Sequence, residues 1–247
     1  MSSNDLAAVR AELAPSGRLR VGLNYSNFLL VKKGATDADA TGVAPDLGRE
    51  VARRLGVPVQ FVGHPGAGEL AEAVSSGAWD IAFLGAEPAR ANRIAFTAAY
   101  LEIPATYLVP AGSSIQSLAD VDRTGIRIAV SERSAYDLFL SRSLKHAQLV
   151  RAPGLDASYD VFVAQKLEVL AGLKPRLVTD VEKLPGARIL EGSFTAIQQA
   201  IGTPVARAAG AKFLRQFVEE AKASGLVAKA IERHGARGVS VAPMASA

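Results

Sequence analysis

The residue types that most often carry protein chemistry are scarce or scattered in this chain. Its three histidines, His64, His146 and His234, lie far apart, and none forms an HExxH-type pair, so no metal site is expected. There is no cysteine, which excludes disulfides, thiol nucleophiles and thiolate metal sites. Neither a GxGxxG loop nor a Walker loop is present, so no nucleotide or other cofactor is expected, and the spacing assigns no catalytic residue. What stands out is backbone. The apolar run Trp79–Gly85 reads as a buried strand, and the peptide groups of Leu84, Gly85 and Ala86 leave its carboxyl end, where open α/β sheets bind ligands.

The elements that would position such a strand end are legible from periodicity. Residues 5–14 are helical in character, and Leu19–Leu23 reads as a buried strand. A polar loop spans 32–41. Apolar positions at Leu47, Val51, Ala52 and Leu55 make an amphipathic helix closed by Gly56, and strand 57–62 follows at once. Residues 68–77 predict a short helix before the Trp79 strand, and 98–109 is apolar and β-rich. A second series then begins: strand 125–130, helix 135–144, strand 148–150, a helix over 166–172 after Tyr159–Ala164, and a strand at 188–191. A long helical region, 206–232, closes the chain. Strands alternating with helices predict parallel sheets covered on both faces, here as two lobes around a cleft.

The chain has 247 residues, 49% hydrophobic and 21% charged, which is a globular rather than a disordered composition. No apolar run approaches the roughly 18 residues a membrane helix needs, so no membrane insertion is expected. The net charge of +4 sits entirely after residue 206. There Arg207, Lys212, Arg215, Lys222, Lys229, Arg233 and Arg237 face only Glu219, Glu220 and Glu232. Because these bases are spread singly and interleaved with glutamates, they read as a solvated helix face, and no nucleic-acid partner is expected.

Four segments, in this order and spacing, resemble the family 3 solute-binding proteins, the amino-acid-type receptors of ABC importers. They are Arg20-Val21-Gly22-Leu23-Asn24-Tyr25-Ser26-Asn27-Phe28, Gly42–Leu47 with Val51–Gly56, Trp79–Phe83 followed by Arg90 and Ile94–Tyr100, and Gly125–Val130 with Ser134 and Tyr136. The resemblance runs from about residue 18 to 236. It implies an α/β, two-lobe periplasmic-binding-protein type II fold, each lobe a mostly parallel sheet flanked by helices. Lobe 1 would comprise residues 1–103 and 200–247 and lobe 2 residues 104–199, with crossing segments near 102–108 and 193–203 as a hinge. It also implies capture of a small carboxylate-bearing ligand, amino-acid-like or deaminated, by closure of the lobes.

Carried over residue by residue, the resemblance puts a carboxylate-binding guanidinium at Arg90, with Arg93 as the neighbouring alternative. Backbone groups at Leu84, Gly85 and Ala86 fall on the ligand edge. Tyr25 falls where an aromatic ring stacks on the ligand, in the same loop as Asn27, and Ser134 would add a hydroxyl and N–H groups from a helix start. Departures from the pattern are as informative. The loop Ala86–Ala89 is short and lacks a threonine, and Pro65–Gly68 replaces an aromatic wall. Arg133 replaces a glycine. The aspartate expected five residues after Asp160, which would neutralise an α-ammonium, is Gln165. A neutral amide at Gln165 and an added cation at Arg133 favour a carboxylate without an α-ammonium.

The resemblance implies an ABC transporter permease as partner, a monomer, and the periplasm. The opening Met1–Leu6 lacks the basic and apolar regions of an export signal, which points instead to a chain that stays inside. An enzyme of the same fold, cyclohexadienyl-dehydratase-like and acting on a cyclic acid, would use Glu87 or Glu102 as its acid. The effector lobe of LysR-type regulators shares the architecture, but the eighteen residues before Leu19 leave no room for a helix-turn-helix.

Overall fold

The computed structural model describes residues 3–245. In chain order its elements are α1 (Ser3–Leu13), β1 (Leu19–Asn24), α2 (Val43–Leu55), β2 (Val59–His64), α3 (Ala67–Glu72), β3 (Ile81–Gly85), β4 (Ile94–Phe96), β5 (Leu101–Val109), β6 (Arg127–Ser131), α4 (Ala135–Ser143), β7 (Gln148–Ala152), α5 (Leu155–Ala164), β8 (Val169–Leu173), α6 (Lys174–Val181), β9 (Arg188–Ile189), β10 (Thr195–Pro204), α7 (Ala208–Ala223), α8 (Leu226–His234) and β11 (Ser240–Val241). The chain forms two compact units, Met1–Glu102 with Gln198–Ala247, and Ile103–Ile197. No helix among the described residues is long and apolar enough to cross a membrane.

In the first unit β1 lies between β2 and β3, all parallel, and the end of β10 runs antiparallel to β3 and β4. β3 reads as a continuous apolar run and is buried along its length, as is nearly all of β1, while β2, at the sheet edge, buries only Phe61. Trp79, just before β3, is fully buried and donates its indole N–H to Leu70 O at 2.9 Å, fixing α3 against the sheet. That packing leaves no room for a side chain on β1 at Gly22, where a Cβ would stand 2.6 Å from Leu70 Cδ1. The chain returns through α7 and α8. Glu12 of α1 accepts from Gly210 N at 2.7 Å, and Arg233 and His234 reach Asp46 of α2 at 3.0 and 2.8 Å. Several of the excess C-terminal bases are therefore structural ties rather than a solvated face: Arg207 reaches Asp80, and buried Lys222 donates to Pro243 O at 2.7 Å.

One carboxylate organises this unit. Asp80, with no exposed surface, accepts from Arg20 N at 2.9 Å, from Arg20 Nε and Nη2 at 3.0 and 2.8 Å, and from Arg207 Nη1 at 2.8 Å. Its own carbonyl accepts the Thr203 hydroxyl of β10 at 2.9 Å. It thus joins β1, β3, β10 and the entry to α7. The second unit repeats the device. Its strands β6, β7 and β8 are parallel, with β6 in the middle, and β5 runs antiparallel to β8 and β9. Arg127 at the start of β6 donates N and Nε to Glu168 Oε2 at 2.8 and 3.0 Å, and Nη2 to Oε1 at 2.8 Å.

Between residues 155 and 181 the elements are shifted in phase from the sequence reading. Residues 155–164 are helix α5, the segment expected as helix 166–172 is largely strand β8, and 174–181 is helix α6. The helix end was hidden because Lys166 takes the left-handed turn, φ +48°, that glycine usually supplies. Lys166 N bonds Val163 O at 3.2 Å and Leu167 N bonds Phe162 O at 3.0 Å, a complete Schellman closure. The long C-terminal helix likewise divides, at Gly225 with φ +74°.

Replacing Asp80 by Asn leaves two buried-side guanidinium partners uncompensated, and the expected loss is about 3–5 kcal/mol. The more exposed Glu168–Arg127 pair is worth about 1 kcal/mol or less, so Glu168→Gln costs little by comparison. Arg127 holds the Glu168 carboxyl below the usual carboxylate range. Its contribution is therefore full above the unfolded value of about 4.3 and fades as pH falls, and the gap between wild type and Glu168→Gln closes in acid. Urea unfolding of both variants at neutral and acidic pH checks each expectation.

Candidate functional site

The pairing Val21↔Ile81 and Gly22↔Ala82 brings the ends of β1 and β3 out at one edge of the first unit. From β1 emerge Tyr25 and Asn27. Asn24 Oδ1 accepts from Ser26 N and Oγ at 3.1 and 2.7 Å, and Asn27 N returns to Asn24 O at 3.1 Å, so the loop turns tightly. Asn27 is 7% exposed, and its Oδ1 is buried without a hydrogen-bond partner among the described residues. An acceptor in that state is the kind of group a bound solute or water satisfies. Phe28, next in the loop, is a second aromatic ring at this edge and is 41% exposed.

Tyr25 is held by its own unit. Its hydroxyl donates to Asp37 Oδ1 at 2.6 Å, and Asp37 Oδ2 accepts from Gly63 N at 2.8 Å. The ring lies so close over β2 that a Cβ at Gly63 would come within 2.0 Å of it. Burial and the Asp37 carboxylate push the phenol pKa up, while the Tyr25 hydroxyl and Gly63 amide hold Asp37 below its ordinary value. One face of the ring is therefore committed to β2, and Lys33 Nζ sits 5.3 Å from the ring centroid.

From β3 emerge Leu84, Gly85 and Ala86. Leu84 is core, and Ala86 N donates to Gln198 O at 2.8 Å. A single 3-10 turn over Pro88–Arg90 then folds Arg90 back, so that its Nη1 donates to Gly85 O at 2.8 Å. Arg90 is 5% exposed; burial pushes its pKa down to about 10 and the neighbouring Glu87 carboxylate opposes that shift, so the guanidinium is cationic at neutral pH. Arg90 is thus a buried cation at a strand end with a buried carboxylate, Glu87, as its neighbour. Arg93 instead reaches Ser75 Oγ at 3.0 Å on the surface. Of the two acids considered for enzymatic work, Glu87 is buried beside Arg90, and Glu102 accepts from Gln198 Nε2 at 3.0 Å. No cluster of metal-ligating side chains occurs among the described residues.

In the second unit the carboxyl ends of β6 and β8 carry Arg133, Ser134 and Leu173. Ser134 caps α4, its Oγ accepting from Asp137 N at 3.1 Å. Arg133 N donates to Asp137 Oδ2 at 2.8 Å, and Arg133 has φ +57°, the conformation glycine favours. An arginine is thus held at strain where the resemblance expects glycine.

Gln165 is a correction. It is the exposed C-cap of α5 and precedes β8, so it lies at the amino end of that strand, away from Arg133 and Ser134. Asp160 lies within α5, and the acid leading β8 is Glu168, the counterpart of Asp80. Five residues beyond Glu168 stands Leu173, as Gly85 stands five beyond Asp80. Leu173 is apolar and carries no charge with which to neutralise an ammonium group.

Two substitutions separate the roles at this edge. Ser134→Ala removes the α4 cap and is expected to cost about 1 kcal/mol. Arg133→Gly relieves the left-handed strain, worth about 1 kcal/mol, and is expected to leave stability unchanged or raised. Thermal unfolding of both variants checks the pair.

Comparison with known proteins bears on the whole chain. The family model of bacterial extracellular solute-binding proteins, family 3, matches residues 19–237. Similar solved structures include a mutant of ArgBP from T. maritima, 20% identical, covering 93% of this chain and 100% of that one, with a TM-score of 0.74. A putative binding component of an ABC transporter from Wolinella succinogenes, complexed with lysine, is 21% identical over 88% of this chain and 95% of that one, TM-score 0.72. The ancestral amino acid-binding protein AncCDT-1, a precursor of cyclohexadienyl dehydratase, is 19% identical over 90% and 97%, TM-score 0.72. No curated protein sequence matches the chain. The fold is that of the type II periplasmic binding proteins, and the chain belongs to the bacterial extracellular solute-binding proteins, family 3.

Proposed function

We propose that this protein captures a small organic acid lacking an α-ammonium group and delivers it to an ABC importer. The observation that carries the reading is Arg90, a buried guanidinium at the carboxyl end of β3, oriented by Gly85 O. A guanidinium is the side chain whose fork matches a carboxylate in a two-pronged bond. The first unit would add Asn27 Oδ1 as an acceptor for a ligand hydroxyl. In the second unit, Arg133 and Ser134 stand at the carboxyl end of β6. Leu173 supports the class of acid, since the strand end that it occupies offers no carboxylate to an ammonium group. Of the neighbours named above, one is complexed with lysine and another is an ancestral amino acid-binding protein, so the ligand proposed here differs from theirs. The role is binding rather than catalysis, with Glu87 neighbouring Arg90 and Glu102 engaged by Gln198.

A thermal-shift screen of the standard amino acids beside their 2-oxo and 2-hydroxy counterparts tests the reading. The expected result is stabilisation by one or more of the deaminated acids and by none of the amino acids; stabilisation by amino acids alone contradicts it. Arg90→Ala is expected to weaken binding of the stabilising acid about a hundredfold or more, the usual scale for losing a buried charged partner. Titration calorimetry of the variant reads that loss directly.

A further inference from the structure

The second unit holds a cavity of about 330 Å³, a size at the lower end of small-ligand pockets, far from the edge that carries Arg133 and Ser134 along the sheet. It lies at the amino end of β8. Its walls come from Phe162, Val163 and Leu167 at the close of α5, from Pro110 and Ala111 after β5, and from the turn Leu184–Ala187. Within this apolar wall Lys166 alone is charged.

The polar groups of the wall are largely spent. Lys166 N and Leu167 N close the helix onto Val163 O and Phe162 O, Ala187 N bonds Leu184 O at 3.0 Å, and Pro110 and Pro185 have no N–H. An occupant therefore meets hydrocarbon on its body and the ammonium of Lys166 as the one charged contact. Val163, a wall residue, is 43% exposed although it is β-branched and apolar, so the cavity opens to solvent through an apolar lip. Lys166 also occupies the left-handed position that closes α5, which fixes its backbone at this wall.

We infer that this cavity is a second binding site, for a small amphipathic monocarboxylate whose apolar chain fills the pocket and whose head pairs with Lys166. The site is separate from Arg90 and does not depend on the solute proposed above. Octanoate is the probe, titrated into the full chain and followed by amide chemical shifts, with octanol and octylamine as the uncharged and cationic heads on the same chain. The expected result is saturable octanoate binding with shifts centred on Val163, Lys166, Leu167 and Ala187, about tenfold or more tighter than for octanol or octylamine. Lys166→Gly should abolish that preference while raising the melting temperature, because glycine relieves the turn; Arg90→Ala should leave octanoate binding unchanged. Equal affinity for the three heads, an unaltered preference in Lys166→Gly, shifts centred on Arg90, or no saturable binding would each overturn the inference.

Discussion

A buried carboxylate is tolerated only where cations and N–H groups surround it, and Asp80 meets that condition through Arg20 and Arg207. The consequence is positional. Asp80 locks the start of β3 to the start of β1, so the strands leave the sheet in register at their other ends, and Gly85 emerges level with the loop that carries Tyr25 and Asn27. The turn after Gly85 then returns Arg90 onto the Gly85 carbonyl. A clasp at one edge of the sheet thereby determines which groups present themselves at the other. The second unit uses the same arrangement with a longer acid, Glu168 against Arg127, and its product is the edge bearing Arg133, Ser134 and Leu173.

This repetition explains what the sequence disclosed and what it concealed. The order β1–α2–β2 was readable because α2 carries a clean apolar stripe closed by Gly56, and because β-branched and apolar residues such as Val21, Leu23, Val59 and Phe61 recur in the flanking strands. The stretch from 155 to 181 was not, since α5 ends in the apolar run Val161–Ala164 and β8 is an equally apolar run, and the usual marker between them, a glycine, is replaced by Lys166. Gln165 therefore stands at the amino end of β8 rather than at its carboxyl end. The residue five beyond the clasp acid Glu168 is Leu173, at the carboxyl end of β8.

The site's chemistry divides along the same line. Leu84–Ala86 and Arg90 were legible as types at a strand end, but their engagement was not. Tyr25 looks like a free aromatic platform in sequence, yet Asp37, twelve residues on, and Gly63, on another strand, take its hydroxyl and one face of its ring. Ser134 reads equally as ligand donor or helix cap, and its hydroxyl serves as the cap. Such pairings are tertiary, and no local pattern announces them.

The central claim is that Arg90 holds the carboxylate of a solute without an amino group. Native mass spectrometry of the protein as purified, beside its Arg90→Ala variant, tests it most directly. The account predicts a co-purifying small acid, bound to the wild type, absent from the variant, and unreactive toward amine-specific reagents once released. An α-amino acid in that position, or an acid retained without Arg90, would contradict it.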